Sequence, residues 1–497
     1  MFSAARTVVA FGLIFQLAGL GKLLIIARYF GAGPVLDAYY LGLVIPTLLA
    51  GLAAALLQIG FVPAYIEAKT RKDEQSAARI RNESLTYAAL LLVVAAAVIS
   101  VAARPIMALL WPHMAPGADA LLRTSFGLLI WTTPITGLID GFALLLNAER
   151  RFIAAAAAPV TNVTVSAFFI VLSPEKSLHV LMWSLFAGLA AQVAVLALAL
   201  GRGGIRFVPR LSPHPGIARS FLSIGLPVFI ASLLANSILA FIQVMAARSG
   251  TGAVSAYGYA SRLQRSVVQA IVTSVSTVLL PHFARLLAEG RQEELRENLH
   301  RVLAAATIFY FAALTFVVTG GRATVALLLQ HGRFTAADGR LVYEVWLALT
   351  TGLLGTTWGI FLARLFQAKR RPWVITLSGV VSLSVNVALS LLLMKWLGIV
   401  GIALANSIAY LAVMTLFHVL AARSLGRLID ATTLRFVALA AAVNAMAGFG
   451  ALFLRRVLAG EDVIFIIMSQ AALIAGLNLA LARCRPLRLA PATLFRL

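Results

Sequence analysis

Three cationic side chains stand in otherwise apolar stretches of this sequence. Lys22 lies within LAGLGKLLIIA, and Arg262 and Arg265 lie within YASRLQRSVV. If the first stretch ends near residue 30, at the outer surface of the membrane that it crosses, Lys22 lies about 12 Å below that end, because a helix rises about 1.5 Å per residue. By the same rise, Arg262 and Arg265 lie about 9 and 14 Å below the start of their own helix. Ammonium and guanidinium groups at one depth predict a site for a diphosphate, which accepts paired hydrogen bonds.

Each of these cations also has a structural interpretation. Phe15, Ala18 and Gly19 share the helical face of Lys22, and small residues there suit tight helix packing as well as a cavity wall. An arginine inside a membrane protein can instead pair with a carboxylate of another helix or bind backbone carbonyls. We favour a cavity-facing role for Lys22 and a diphosphate-binding role for the two arginines.

Carboxylates occur in the same apolar stretches. Arg28 and Asp37 flank the turn FGAGP, which places both at the outer rim. They can contact substrate directly or form a gating ion pair. Alternatively, Arg28 can extend to the surface or pair with Asp37 at the rim, while Asp37 also caps the second span. Asp140 lies between Gly137 and Gly141. It can bind a coupling proton or sodium ion, or it can satisfy backbone groups freed at a glycine-rich kink; for Arg28, Asp37 and Asp140 alike we favour the structural interpretation.

Four amides complete the polar set and are candidates for lining a cavity: Gln16, Gln58, Asn236 and Gln243. Hydrogen bonds between helices are the commoner use of such side chains. The sequence shows no His, Cys, Asp and Glu cluster at metal-binding spacing, no nucleotide-binding glycine loop and no Ser/His/Asp set. Its single cysteine, Cys484, excludes an internal disulfide. We therefore predict no metal, no cofactor and no enzymatic activity.

The composition is that of a membrane protein. Of 497 residues, 61% are hydrophobic and 12% are charged, and the mean hydropathy is +0.94; soluble domains are about 45–50% apolar and about 25% charged. Apolar runs of about 20 residues are long enough to cross a bilayer as helices. They predict an all-α polytopic membrane protein with about fourteen transmembrane helices. The first run, within residues 1–27, lacks a small-residue cleavage site and is therefore expected to be an uncleaved span.

The net charge of +23 reflects topology. With a cytoplasmic N-terminus and alternating spans, the inner loops carry more Lys and Arg than the outer loops, as in the segment EAKTRKDEQSAARIR. This positive-inside pattern predicts that both termini are cytoplasmic. The basic loops suit anionic lipid headgroups, so we expect membrane lipid and no nucleic acid as a partner.

The chain repeats itself. DAYYLG…FVPAYIEA matches SAYGYA…LLPHFARL, and the spacing from Ala38 to Pro63 equals that from Ala256 to Pro281. ALLWPH matches ALLLQH, and NAERRF matches QAKRRP, at nearly the same offset. Each unit holds six predicted spans, and an even number returns the chain to its starting side. The two six-helix repeats are therefore parallel, as in many secondary transporters, and two C-terminal helices fall outside them.

The repeat predicts four parts of the chain. They are an N-terminal six-helix half (1–201), a Gly-, Pro- and Arg-rich cytoplasmic linker (202–216), a C-terminal six-helix half (217–423), and the last two helices with a cytoplasmic tail (424–497). A parallel duplication without a catalytic cluster favours a transporter over a duplicated structural or receptor-like protein. A membrane glycan polymerase or glycosyltransferase would have a large outer loop or clustered carboxylates, whereas the outer loops here are short and their acids are scattered.

The motifs IARYFGAG…DAYY…FVPAYIE, ASRL…LLP and LLQHGRFTAAD, with HGRFTAAD (331–338) the most specific, resemble the MurJ/MviN family. These are lipid II flippases of the multidrug/oligosaccharidyl-lipid/polysaccharide (MOP) superfamily. The resemblance covers nearly the whole chain and implies a bacterial inner-membrane protein that turns polyprenyl-diphosphate-linked sugars towards the periplasm by alternating access, for peptidoglycan synthesis in the cell wall. It also implies a cationic cavity, a lipid-linked oligosaccharide as partner, and cell-envelope synthesis proteins as candidate partners.

The chain departs from the family pattern at charged positions. Family members usually carry arginine at Gln16, an Arg-Asp pair at Lys22-Leu23, an Arg-Arg pair at Ala50-Gly51 and a glutamate at Arg265. The family's charge type is kept at Lys22, Arg28, Asp37 and Arg262. These changes leave a second hypothesis, an exopolysaccharide or O-antigen repeat-unit flippase. A third hypothesis, a multidrug antiporter of the same superfamily, requires buried carboxylates where this cavity is net cationic.

Overall fold

The computed structural model describes residues 2–111, 116–211, 233, 237–268, 274–426, 431–458 and 462–483. Helix accounts for 88% of the structure, and those ranges contain no strand. The predicted all-α class is therefore confirmed. Outside the described residues lie Asn236, His113, Cys484 and the end of the predicted linker.

Ten helices precede the linker in the described ranges. They are α1 (Phe2–Phe30), α2 (Pro34–Gly42), α3 (Val44–Leu56), α4 (Val62–Thr70), α5 (Glu74–Val101), α6 (Ala103–Leu110), α7 (Pro116–Leu129), α8 (Thr132–Ala148), α9 (Phe152–Leu172) and α10 (Leu178–Gly201). A π-helical turn (Leu57–Phe61) joins α3 to α4.

Nine further helices follow in the part of the chain that the structure describes. They are α11 (Ser237–Ala247), α12 (Ala253–Val268), α13 (Ser274–Ala288), α14 (Gln292–Leu329), α15 (Ala336–Thr351), α16 (Leu353–Ala368), α17 (Pro372–Leu425), α18 (Ala431–Val457) and α19 (Val463–Arg483). Helical geometry breaks inside α17 at Gly398, where φ is 53° and ψ is −133°, so α17 is two helices joined at this glycine. A side chain would be strained in that conformation.

The polytopic membrane architecture is confirmed. Within the described residues, nine helices are long and apolar enough to cross a membrane, and eleven spans result if each of two bent pairs is one span. The bent pairs are α7 with α8, at 40°, and α15 with α16, at 43°. Two predicted spans merge in α17, and two others, near residues 232 and 270, run into residues outside the described ranges. The count of fourteen therefore stays a prediction.

Equivalent helix ends of the two repeats have the same backbone geometry. Arg150 and Arg370 both adopt positive φ, at 59° and 53°. The residue after Arg150 donates its N–H to the Leu146 carbonyl at 2.8 Å, and the residue after Arg370 donates to the Phe366 carbonyl at 3.0 Å. Each turn thus closes its helix with a left-handed residue, as αL helix caps do.

A second pair of turns shows the same match. Lys72 and Gly290 have φ values of 60° and 71°. The following residue in each turn donates to a carbonyl five positions earlier, Ala68 or Leu286, at 3.0 Å in both cases. The sequence repeat is therefore accompanied by a repeat in local structure.

Residue contacts divide the chain into two compact units, 1–255 and 256–497. The core of the first unit is built around Phe61, Tyr65 and Leu145. The core of the second is built around Phe283 and Phe366 with their apolar neighbours. The four-part division based on the repeat places its boundary in the linker instead, and it stays a prediction.

The start of the linker is attached to the first unit. The N–H of Val208 donates to Asn82 Oδ1 at 3.3 Å, and the N–H of Arg210 donates to Thr86 Oγ1 at 3.1 Å. Both acceptors lie on α5, one helical turn apart. Phe207, next to these bonds, packs against the core of the first unit. The linker therefore begins as a segment bound along α5.

Candidate functional site

Lys22 lies on α1, eight residues before the end of the helix at Phe30. Its side chain is half-buried, and Gly19 on the same face is buried. Both Lys22 and Gln16 take part in polar or electrostatic interactions. Lys22 therefore packs partly within the protein, as a residue of a cavity wall would.

A cation–aromatic cluster lies at the end of α1. The Arg28 guanidinium is 5.9 Å from the centroid of the Tyr29 ring, and the Lys176 ammonium is 4.5 Å from it. Lys176 also donates to the carbonyls of Ile170, at 2.5 Å, and Val171, at 3.2 Å, at the C-terminal end of α9. A lysine there offsets the negative end of a helix. Lys176 therefore ties α9 to α1, a role that the sequence did not indicate.

Asp37 is buried, and both of its carboxylate oxygens accept backbone hydrogen bonds. The N–H of Gly252 donates to Oδ2 at 2.5 Å, and the N–H of Ser255 donates to Oδ1 at 2.7 Å. These two residues begin α12, so Asp37 satisfies its first N–H groups. The expectation that Asp37 caps the second span is wrong: α2 has Gly33 as its N-cap without a side-chain bond, because the helix already begins before Asp37. The pair with Arg28 stays a prediction.

Arg262 and Arg265 lie one turn apart on α12, Arg262 half-buried and Arg265 exposed. Between them, Gln264 Oε1 accepts hydrogen bonds from Trp346 Nε1, at 3.2 Å, and from Thr350 Oγ1, at 3.0 Å. Both donors lie on α15. These bonds fix the rotation of this part of α12 within the second unit, and with it the direction of the two arginines.

Among the described residues Arg265 forms no salt bridge with a carboxylate. The hydroxyl groups of Tyr257 and Tyr410 are close enough to interact electrostatically with its guanidinium. Neutral hydroxyls leave the positive charge of a guanidinium uncompensated. Arg265 is therefore suited to an anionic ligand.

The predicted cavity amides that the structure describes lie on three different elements. Gln16 on α1 and Gln243 on α11 are half-buried, and Gln58 is exposed on the π-helical turn. Other amides form the hydrogen bonds between helices: Asn162 with Gln192 at 2.8 Å, Asn386 with Asn406 at 3.1 Å, and Asn444 with Asn478 at 3.0 Å. These six amides, which the sequence did not single out, thus show the commoner interhelical use.

Asp140 is half-buried in the middle of α8. It makes no hydrogen bond or ion pair with any residue that the structure describes. The bend of this span lies at residues 130–131, between α7 and α8, so the kink that Asp140 was expected to satisfy is not at Gly137 or Gly141. Those glycines serve close helix packing instead.

The family of the chain follows from a match over most of its length. Residues 26–471 match the model of the family described as lipid II flippase MurJ. The chain belongs to the MurJ family. Curated relatives agree: a lipid II flippase MurJ of Burkholderia cenocepacia is 28% identical over 388 residues, 74% of each chain. A probable lipid II flippase MurJ of Rhizobium tropici is 25% identical over 415 residues, 79% of this chain and 76% of its own.

Solved structures share the MurJ fold. A lipid II flippase MurJ in an inward-closed conformation superimposes with a TM-score of 0.81 at 16% identity, covering 96% of this chain and 98% of that one. An inward-facing multidrug resistance MATE family transporter of the MOP superfamily gives 0.70 at 16% identity, covering 83% and 95%. The MOP-type fold predicted from the sequence is therefore confirmed.

The structure brings together only part of the predicted MurJ-like site. Arg262 and Arg265 share one helix of the second unit, whereas Lys22 belongs to the first. Their joint binding of one diphosphate stays a prediction.

This MurJ-family chain contains one polar network that the sequence did not indicate. Glu149 Oε1 accepts a hydrogen bond from the Tyr65 hydroxyl at 2.5 Å and lies 3.5 Å from Lys69 Nζ. Lys69 belongs to the segment EAKTRKDEQSAARIR, whose basic residues were expected to lie near anionic lipid headgroups. The available signal was the repeat itself, because Glu149 of NAERRF aligns with Lys369 of QAKRRP, a reversal of charge at an otherwise similar turn.

Proposed function

We propose that the chain translocates a polyprenyl-diphosphate-linked glycan of the lipid II type from the cytoplasmic to the periplasmic leaflet. The observation that carries this proposal is the family match over residues 26–471. The relatives named lipid II flippase MurJ are covered over about three-quarters of their length, at 74% and 76%. The chain is then a transporter of peptidoglycan precursors in the bacterial inner membrane, with both termini in the cytoplasm.

The diphosphate is proposed to bind Lys22, Arg262 and Arg265. A helix N-terminus is a common site for phosphate, but Asp37 already accepts from the first N–H groups of α12. Anion binding near this helix therefore falls to its side chains. Arg265 supports the proposal because its exposed guanidinium has no salt bridge among the described residues, and guanidinium binds phosphate with paired hydrogen bonds.

Transport is proposed to occur by alternating access. Residues 1–201 and 217–423 would rock against each other and present the head group first to the cytoplasm and then to the periplasm. The empty site carries net positive charge, and a charge that crosses the membrane potential gains about 2.3 kcal/mol per 100 mV. An inside-negative potential would therefore favour return of the empty carrier to the inward-facing state.

A second candidate substrate is an exopolysaccharide or O-antigen repeat unit. The observation that favours it is the loss of charge at Ala50-Gly51, where the family usually carries two arginines. Ala50 is buried and Gly51 half-buried in α3, so no cation replaces them there. A multidrug cation fits less well, because the proposed site is cationic and would repel it.

Complementation of a strain depleted of its lipid II flippase tests the substrate. Growth supported by this chain is the expected result. Failure by a protein that is correctly inserted and expressed would contradict the lipid II proposal and favour another polyprenyl-linked glycan.

A leaflet-accessibility assay in vesicles tests the binding residues. Lys22→Ala and Arg262→Ala are each expected to slow flipping about tenfold or more, because a hydrogen bond to a charged group contributes about 1.5–3 kcal/mol. Arg104→Ala, at an exposed cation of α6, is the matched control and should flip at the normal rate. Normal flipping by both site variants would exclude the proposed binding of the diphosphate by these cations.

A further inference from the structure

A polar stripe runs along α8. Thr136, Asp140 and Asn147 follow one another at offsets of four and seven residues, which place side chains on one helical face. The first two are half-buried and Asn147 is exposed. Thr136 donates to its own helix, to the Thr132 carbonyl at 2.8 Å, whereas Asp140 has no hydrogen bond or ion pair with the described residues. In a membrane protein such a stripe faces protein or a watery cavity, because ionisable groups exposed to lipid are costly.

The glycines beside Asp140 hold α8 close to α5. A Cβ atom at Gly137 would lie 2.2 Å from Leu92 Cδ1, and one at Gly141 would lie 2.4 Å from Leu85 Cδ2. A larger residue at either position would require the contacting leucine side chain of α5 to move. Asp140, which directly precedes Gly141 and follows Gly137 by three residues, therefore lies at the edge of the contact with α5.

A π-helical turn lies beside this edge. Leu57, its first residue, approaches the Cβ position of Gly141 to 3.7 Å. Gln58, the next residue, is exposed. π-Helical turns within α-helices occur frequently at functional sites. Thr133, one turn before Gly137 on α8, has a buried hydroxyl without a hydrogen-bond partner, so the polar groups here are not arranged to satisfy one another.

Apart from Tyr87 in the middle of α5, the other ionisable groups on the helices that pack against α8 are engaged with partners or lie towards helix ends. α3, α9 and the π-helical turn contain none. On α5, Glu83 is bonded to Arg79 at 2.7 Å, and Tyr87 is the next ionisable group along that helix. On α4, Tyr65 and Lys69 are bound to Glu149.

The two remaining helices add little charge at this depth. α7 contributes the pair of Asp119 and Arg123, at 2.8 Å, and α10 contributes His179 at its first turn. Neither supplies a cation that is bonded to Asp140 in the described part of the chain. Among the described residues, therefore, no cation or hydrogen-bond donor stabilises the ionised form of Asp140.

We propose that Asp140 binds a coupling proton. The carboxyl group is neutral when the α8 stripe is closed off from water and ionised when the stripe opens to it, because ionisation without a partner is costly in a dry environment. A proton requires only this one carboxylate, whereas a sodium ion would need several oxygen ligands. The inference rests on the proposed function, since it assigns the coupling ion of the same transporter.

Infrared difference spectroscopy on the purified full-length chain in lipid tests proton binding without any substrate. Titration of the wild-type protein should show the carbonyl stretch of a protonated carboxyl group that disappears as the pH rises. Asp140→Asn should lose this band, and Asp119→Asn, which removes a carboxylate paired with Arg123, should keep it. A band unchanged in Asp140→Asn, or a change at this residue driven by added sodium ions rather than by pH, would overturn the proposal.

Flipping in vesicles under an imposed pH gradient tests the coupling. The wild-type rate should respond to the gradient, Asp140→Asn should lose the response, and Asp140→Glu should restore it. A gradient response retained in a folded Asp140→Asn would overturn the proposal. If the wild-type chain shows the infrared band but flips no lipid II-type substrate, the proposed function fails while the proton site stands.

Discussion

The turn between α8 and α9 and the turn between α16 and α17 have the same backbone but different side-chain bonds. Both end their helix with an arginine at positive φ, Arg150 or Arg370. In the first turn Glu149 accepts a hydrogen bond from Tyr65. In the second, Lys369 donates to Ser424 Oγ at 2.8 Å. The comparison teaches that the repeat preserves the path of the chain, whereas the polar bonds that stabilise each turn have diverged separately.

The divergence extends to the helix that faces each turn. Tyr65 of the first repeat corresponds to Phe283 of the second, and both rings are buried in the core of their own unit. The hydroxyl of Tyr65 has an acceptor in Glu149, whereas the lysine at the equivalent position of the second repeat offers none. The two turns therefore differ in pairs of residues: Tyr65 with Glu149 in the first repeat, and Phe283 with Lys369 in the second.

Replacement of Glu149 by lysine, the residue at the equivalent position of the second repeat, should have the largest effect on stability. Glu149→Lys removes the acceptor of the Tyr65 hydroxyl and places a second cation beside Lys69. We expect a loss of about 2–4 kcal/mol in stability, since a partly buried polar group is left without its partner. The measurement is the thermal midpoint of the purified protein in detergent.

Glu149→Gln separates charge from hydrogen bonding in this turn. Its amide oxygen can still accept from Tyr65, so this control should lose less stability than Glu149→Lys. Equal losses for the two variants would show that the negative charge of Glu149, and not its capacity to accept from Tyr65, stabilises this turn. The reciprocal Lys369→Glu should cost less than Glu149→Lys, about 1 kcal/mol, because it removes one bond to a neutral hydroxyl.

Exchange of the facing aromatic residues should have the next largest effect. Tyr65→Phe loses a hydrogen bond to a carboxylate and should destabilise the protein by about 1–2 kcal/mol. Phe283→Tyr places a hydroxyl in an apolar core and should also destabilise it, by about 1–3 kcal/mol. Thermal midpoints of both variants check the expectation. An unchanged midpoint for Phe283→Tyr would show that the second turn can accept a hydroxyl after all.

Apolar periodicity was sufficient to predict the helical membrane fold, and the internal offset was sufficient to match the segments NAERRF and QAKRRP. Their backbones agree in the structure because helix-ending turns depend on local sequence. The boundary of α2 could not be predicted to within a turn, and this is why Asp37 was expected to cap its own helix, whereas it accepts from the start of α12. One residue of error in a helix start changes which N–H groups a carboxylate can reach.

The candidate site was less accessible to sequence reasoning than the fold. The charges of Lys22, Arg262 and Arg265 were visible as exceptions to an apolar pattern. Their partners were not, because contacts such as Gln264 with Trp346 join residues far apart in the chain. Asp37 with Ser255 is instructive, since these two residues occupy equivalent positions in the repeat and are bonded to each other. Equivalent positions are therefore worth testing as contacts.

Replacement of the arginines that have positive φ should have a smaller effect on stability, and the effect should be equal in the two turns. An L-residue in this conformation costs about 1–2 kcal/mol, and glycine recovers part of this while it gains freedom in the unfolded chain. Arg150→Gly and Arg370→Gly should each stabilise the protein by less than about 1 kcal/mol. Gly290→Lys, which copies Lys72, should destabilise it by a similar amount. Thermal midpoints that move in opposite directions for the two arginines would break the structural equivalence.

The smallest expected effect is a difference in alkaline pH dependence between Lys69 and Lys369. Burial lowers the pKa of Lys69, but the carboxylates of Glu74 and Glu149 outweigh it, so the pKa is raised overall. Burial, followed by the charge of Arg371, lowers the pKa of Lys369. The stability that Lys69 contributes is therefore present below the ordinary lysine pKa of about 10.4 and is lost as the pH rises through its higher folded value.

Lys369 should show the opposite slope. Its lowered pKa means that the unfolded chain binds the proton more tightly, so stability rises as the pH climbs from the folded value towards about 10.4. Thermal midpoints between about pH 8 and 11 for wild type, Lys69→Gln and Lys369→Gln measure both terms, with the exposed Lys395→Gln as control. The advantage of wild type over Lys69→Gln should shrink with rising pH, and its midpoint relative to Lys369→Gln should increase. Parallel slopes would mean that the two turns, despite their different partners, place their lysines in equivalent electrostatic environments.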